Sequence, residues 1–160
     1  MVSEFIIRKA TSTDLPVLGR LGAALMRVHY AFDPQRFMAP DADAEAGYAW
    51  FLGTQLERAD VVILVAERAG DLLGYVYAGM EPRNWKELRD EAGFIHDLHV
   101  DERGRRTGIA TALLEAGIGW LKEQGAPRVV LWSADQNANA QKIFSRLGFR
   151  PTMIEMTREL

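Results

Sequence analysis

Cysteine is absent from the 160 residues, which excludes a disulfide framework, a thiolate metal site and a cysteine nucleophile. Histidine is scarce. His29, His96 and His99 do not fall at the i, i+4 helical spacing that grips zinc, so no metal is expected. An excess of basic residues is also missing: the net charge is −3 and the sequence pI is near 5.6. That balance argues against a nucleic-acid partner and is compatible with a cationic substrate. No apolar run approaches the roughly twenty residues of a membrane span. Met1 to Ala10 carries Glu4, Arg8 and Lys9 in a strand-like pattern, unlike a signal peptide. A cytoplasmic protein without a membrane partner is therefore expected.

A hydrophobic content of 48% in 160 residues suffices for one well-buried core and not for two, so residues 1–160 are read as a single domain. Phe5-Ile6-Ile7 reads as a short strand, and Thr13-Asp14-Leu15-Pro16 places a capping residue before a first-turn proline. Leu15 to Val28 and Asp41 to Arg58 read as helices, with Tyr30 to Pro40 an irregular linker between them. Val61 to Ala66 and Leu72 to Tyr77, separated by Arg68-Ala69-Gly70-Asp71, predict an antiparallel hairpin. Glu81 to Ala92 is charged and predicts a loop or short helix.

From Phe94 onward the pattern is strand, helix, strand, helix, strand. Ile109, Ala112, Leu113, Ala116 and Trp120 recur at helical spacing, and Gly125-Ala126-Pro127 stops that helix before Val129 to Trp132. A right-handed parallel crossover then sets the helix N-terminus at the carboxyl end of the Phe94 to Val100 strand. Thr152 to Glu159 predicts a terminal strand that could pair across subunits. Trp120 and Trp132 read as core.

Two motifs carry chemistry. Arg105-Arg106-Thr107-Gly108-Ile109-Ala110 sits between that strand and an alanine-rich helix. First-turn N–H groups lack intrahelical acceptors and carry the positive end of the helix dipole, so such a turn can cradle an anion. The Gly-Lys-Ser/Thr ending of a nucleotide loop and the triple glycine of a dinucleotide loop are both missing. The second motif is Asn137-x-x-Ala140 running into Phe144 and Leu147-Gly148-Phe149.

In order and spacing these motifs resemble the GNAT N-acetyltransferase superfamily, whose acyl-CoA loop follows the pattern Gln/Arg-x-x-Gly-x-Gly/Ala. Arg105, Gly108 and Ala110 fill its fixed positions, and the resemblance spans nearly the whole chain. It implies an α/β fold: a mixed, split sheet flanked by helices, with a C-terminal βαβαβ half carrying the CoA site. It implies acetyl-CoA as co-substrate, a primary amine as acceptor, and a homodimer. It also implies that the pyrophosphate is held by Arg105, Arg106, Gly108, Ile109 and Ala110. The pantetheine arm would meet the backbone of Leu98 and Val100, with Asn137 bonding it and Phe144 beside the thioester. Many relatives place a tyrosine at the Phe144 position, whose hydroxyl protonates the departing thiolate. Phenylalanine cannot do so.

An amine attacks only when neutral, and alkylammonium pKa values lie near ~10, so a proton acceptor is needed. His96 suits that role and lies on the strand leading to the loop; the competing reading is a histidine satisfying sheet neighbours. Asp97 orients His96, binds a cationic acceptor, or pairs with an arginine. Alternation sets the two on opposite faces unless the strand is bulged. His99 reads as structural, and Asn137 doubles as a helix cap. Two other readings stay open: a protein amino terminus or lysine as acceptor, and a CoA-binding module without turnover.

Overall fold

The computed structural model describes residues 4–160, so Met1 to Ser3 of the expected N-terminal stretch lie outside the described residues. The chain runs β1 (Ile6–Lys9), α1 (Leu15–Phe32), α2 (Ala44–Leu56), β2 (Val61–Arg68), β3 (Asp71–Glu81), β4 (Ala92–Val100), α3 (Ile109–Glu123), β5 (Val129–Leu131) and α4 (Ala138–Arg146). The five strands form one sheet in sequence order. All neighbours are antiparallel except β4 and β5, which pair in parallel at Gly93 with Val129, Phe94 with Val130 and Ile95 with Leu131.

Local chemistry explains the joints. Asp14 ends the turn before α1, accepts the Thr11 N–H at 2.8 Å and is gripped by Arg8 at 2.8 and 3.0 Å. These bonds, the Arg8 contact first, hold its carboxyl below the usual carboxylate range despite burial. Ala69 and Gly70 both take positive φ, 52° and 85°, as the two-residue β2–β3 turn requires.

The sheet has a core on each face. On one, Ile109, Leu113, Leu114 and Leu121 of α3 pack on Val62, Leu64, Val76 and Ile95. α3 fits closely because residue 117 is glycine: a Cβ there would sit 3.2 Å from the Ile95 side chain. On the other face, Leu18 and Leu21 of α1 and Leu52 of α2 pack on Ile63, Val65, Tyr75 and Tyr77.

Two expectations change, and one open alternative is decided. α1 continues to Phe32, so His29, Tyr30 and Phe32 belong to its last turn; His29 Nδ1 lies 2.9 Å from the Leu25 carbonyl oxygen. Of the loop and short helix expected before β4, residues 82–91 form the loop, pinned by a bridge between Asn84 and Arg89. Thr152 to Glu159 forms no strand: it is exposed, and its tie is the ion pair of Arg36 with Glu155. The C-terminal half is therefore βαβα here, with β5 as the edge strand of the sheet.

Candidate active site

The sheet splits at β4. Past Ile95 and Leu131 the parallel ladder ends, and residues 96–100 of β4 have no partner on that side. Their amide directions follow from one bond. The Asp101 N–H donates to the Leu73 carbonyl at 2.8 Å, so by alternation the N–H groups of Val100 and Leu98 face away from β3, into the gap. On the other side of the split point the Gly93 N–H points toward the β5 side, donating to the Arg128 carbonyl at 2.9 Å.

Gly93 is odd and Leu98 even, and a bulge reverses the phase between them. Tyr77 pairs with Asp97 while Ala78 pairs with Ile95, leaving His96 as the extra residue. Strict alternation is thereby overturned. Both side chains emerge on the α1–α2 face: the His96 ring lies 4.8 Å from Tyr77 and 5.5 Å from Phe94, and Asp97 reaches Tyr48 and Tyr75.

The two nevertheless do different things. Asp97 Oδ2 accepts the Tyr48 hydroxyl of α2 and, at 3.0 Å, the Tyr75 hydroxyl of β3. Burial raises its pKa, and the two phenols partly offset that rise. Asp97 thus ties α2 to the sheet. Its expected orientation of His96 is absent: His96 Nε2 instead lies 3.0 Å from Glu81 Oε1, at the end of β3. The His96 side chain is 28% exposed and opens on a cavity of about 240 Å³ that Glu81, Arg89, Phe94 and Trp132 also line. Arg89 fastens the 82–91 loop over this cavity, its guanidinium 4.7 Å from the Phe94 ring centre and 2.8 Å from Glu87. Trp132, expected in the core, stands 75% exposed at the cavity. Burial, with Arg105 adding repulsion, pulls the His99 pKa down to about 4.

Beyond β4 the chain turns through Arg106 and Gly108, both at positive φ, 61° and 84°, and enters α3. The first intrahelical bond there is from the Ala112 N–H to the Gly108 carbonyl at 3.0 Å, which leaves the N–H groups of Ile109, Ala110 and Thr111 without helical acceptors. A Cβ on Gly108 would meet nothing within 4 Å, so the turn is uncrowded at that position. Ile109 is 1% exposed and anchors the turn in the core. Arg105 leans on Glu102 at 3.8 Å and Arg106 is exposed, so both guanidinium groups are available to an anion; Arg103 is committed to Asp101 at 3.0 Å. An amide cradle, an uncrowded turn and two cations suit a pyrophosphate.

Asn137 caps α4, its Oδ1 accepting from the Ala140 N–H at 3.3 Å. Phe144 is half-buried against the core, 6.1 Å from the Phe149 ring. Among the described residues no cluster of three histidines or carboxylates could hold a metal, and no helix is long and apolar enough to cross a membrane. Glu81, Arg89 and Trp132 escape sequence reasoning, because the bulge sets their proximity to His96.

Sequence and structure comparisons agree with this geometry. An N-acetyltransferase of Methanocaldococcus jannaschii, itself designated uncharacterized, is 31% identical over 93% of this chain, which spans 62% of that protein's length. The N-alpha-acetyltransferase of Sulfurisphaera tokodaii is 26% identical, with 94% of this chain and 83% of the relative covered. The aminoglycoside N-acetyltransferase AAC(6')-Iy, solved with CoA, shares the fold at a TM-score of 0.76 and 17% identity, covering 100% of this chain and 97% of that one. The family described as Acetyltransferase (GNAT) matches residues 23–149, and with its strand, anion turn and helix in the order found here the chain belongs to that family.

Proposed function

We propose that residues 1–160 act as one domain and catalyse acetyl transfer from acetyl-CoA to the primary amine of a small molecule, by direct attack in a ternary complex. The observation carrying this reading is the β4 bulge, which aims His96 at a cavity beside the unpaired strand edge leading to the anion turn. The amides of Ile109 and Ala110, with Arg105 and Arg106, hold the pyrophosphate at Gly108. The Leu98 and Val100 amides pair with the pantetheine arm, Asn137 bonds it from the far side of the gap, and Phe144 packs by the sulfur. A backbone N–H near Leu98 polarises the thioester carbonyl. His96 takes the amine proton. Phe144 supplies no acid, and none is required, because a thiol of pKa near ~8–9 leaves readily. Asp97 contributes by holding Tyr48 and Tyr75, and with them the α2 wall.

The size of the cavity, about 240 Å³, supports a small acceptor: Asn84, Glu87 and Arg89 of the 82–91 loop wall it, with Arg89 held on the Phe94 ring. The Sulfurisphaera relative's name supports a second reading, a protein amino terminus as acceptor. CoA thiol release over a panel of amines and peptides separates them. Release with small amines alone supports the proposal, release with peptides alone supports the second reading, and none with either supports a binding module.

We place the protein in the cytoplasm, acting without nucleic acid, metal or membrane, on the composition. We also propose a homodimer: Met153, Ile154 and Met156 of the extended tail are each more than four-fifths exposed, suited to cover by a second copy. Sedimentation at micromolar concentration should give twice the 17.9 kDa chain mass; a monomer there contradicts it.

A further inference from the structure

The proposed reaction requires His96 to hold a lone pair toward the acceptor, and the structure says which nitrogen carries it. Glu81 Oε1 lies 3.0 Å from His96 Nε2. The Glu81 side chain is 36% exposed, and an ionised carboxylate accepts hydrogen bonds only. The imidazole nitrogen facing it must then bear the hydrogen. Nδ1 has no hydrogen-bond partner among the described residues, so it is the lone-pair nitrogen. We infer that Glu81 is the positioning residue of the site: it fixes the Nε2–H tautomer of His96 and makes Nδ1 the proton acceptor.

The inference rests on the reading of His96 as base. As the amine nitrogen bonds to the thioester carbonyl carbon, its proton passes to Nδ1. The C–S bond breaks with its electron pair on sulfur, and the imidazolium returns the proton to that thiolate or to water. While His96 is cationic, the Glu81 carboxylate stabilises it.

His96 is faced by Glu81 and Tyr77 from β3 and by Phe94 and Asp97 from β4. Glu87 and Arg89 of the 82–91 loop pair with each other at 2.8 Å, and so do Arg58 and Asp60 beyond α2. Asp97 is occupied by the Tyr48 and Tyr75 hydroxyls, so Glu81 is the carboxylate that bonds the ring.

Glu81→Gln tests this, since the amide keeps shape and loses charge. We expect kcat to fall about 10- to 100-fold with KM for the amine and acetyl-CoA affinity little changed. Nitrogen-15 NMR of the unliganded wild type should show His96 as the Nε2–H tautomer. An Nδ1–H tautomer, or wild-type kcat in Glu81→Gln, overturns the positioning role. His96→Ala separates the two levels. If it abolishes turnover while Glu81→Gln is silent, the base stands and the dyad falls; if both variants turn over normally, both fall.

Discussion

Tyr77 stands opposite Asp97 across the β3–β4 ladder, while its next neighbour Ala78 stands opposite Ile95. That single missing step is the bulge at His96, and it sets the chemistry of the gap. With it, the Leu98 and Val100 amides face the space left by β5, and His96 and Asp97 both emerge on the α1–α2 face. Without it, the phase of every residue from Asp97 to Val100 would invert.

Gly108→Asp places a carboxylate beside the first-turn amides of α3, at a φ of 84° that already disfavours a Cβ. Acetyl-CoA affinity by calorimetry should fall at least tenfold, about 1.4 kcal/mol, while Gly108→Ala, which adds strain but no charge, should lose less. Equal losses would show that strain alone acts and that no anion sits there.

Phe144→Tyr adds a hydroxyl where many relatives carry one, on a half-buried ring that touches Phe149. Turnover should stay level or rise modestly, because an added acid can only assist a thiolate that already leaves. A large loss of kcat with intact CoA binding would mean that the bare ring shapes the site.

His99 carries a stability prediction. Burial, with Arg105 adding repulsion, lowers its pKa from 6.5 to about 4. The unfolded chain therefore binds a proton below about pH 6.5 that the folded chain refuses until about pH 4, and stability drains across that window as pH falls. His99→Gln removes this component. Its Tm should drop less than the wild-type Tm between pH 7 and pH 5; equal drops would refute the assignment.

The turn from Arg105 into α3 was legible because its requirements are local. Gly108 must adopt positive φ and Ile109 must start an apolar helical stripe, and both show in the residue order. The hairpin at Ala69-Gly70 and the β4–α3–β5 crossover were legible for the same reason. The acceptor side was not. Glu81 and His96 are fifteen residues apart, and their meeting depends on a bulge that alternation cannot reveal. Trp132 looked like core because a tryptophan after a buried strand normally is; here the strands part beside it and leave it in solvent. The tail from Thr152 to Glu159 reads as a strand by its Met, Ile and Thr content, but it pairs with neither sheet edge, β1 or β5, and Glu155 is tied to Arg36 instead.

The central claim is that His96 takes the amine proton at a site where acetyl-CoA binds independently of it. Its most direct test is the pH profile of kcat for wild type and His96→Ala on one accepted amine, with acetyl-CoA affinity measured alongside. The account predicts an acidic limb for the wild type. In the variant it predicts loss of that limb, a fall in kcat of roughly 10²- to 10⁴-fold, and acetyl-CoA affinity within a few-fold of wild type. A variant that keeps wild-type kcat and the same limb would contradict it.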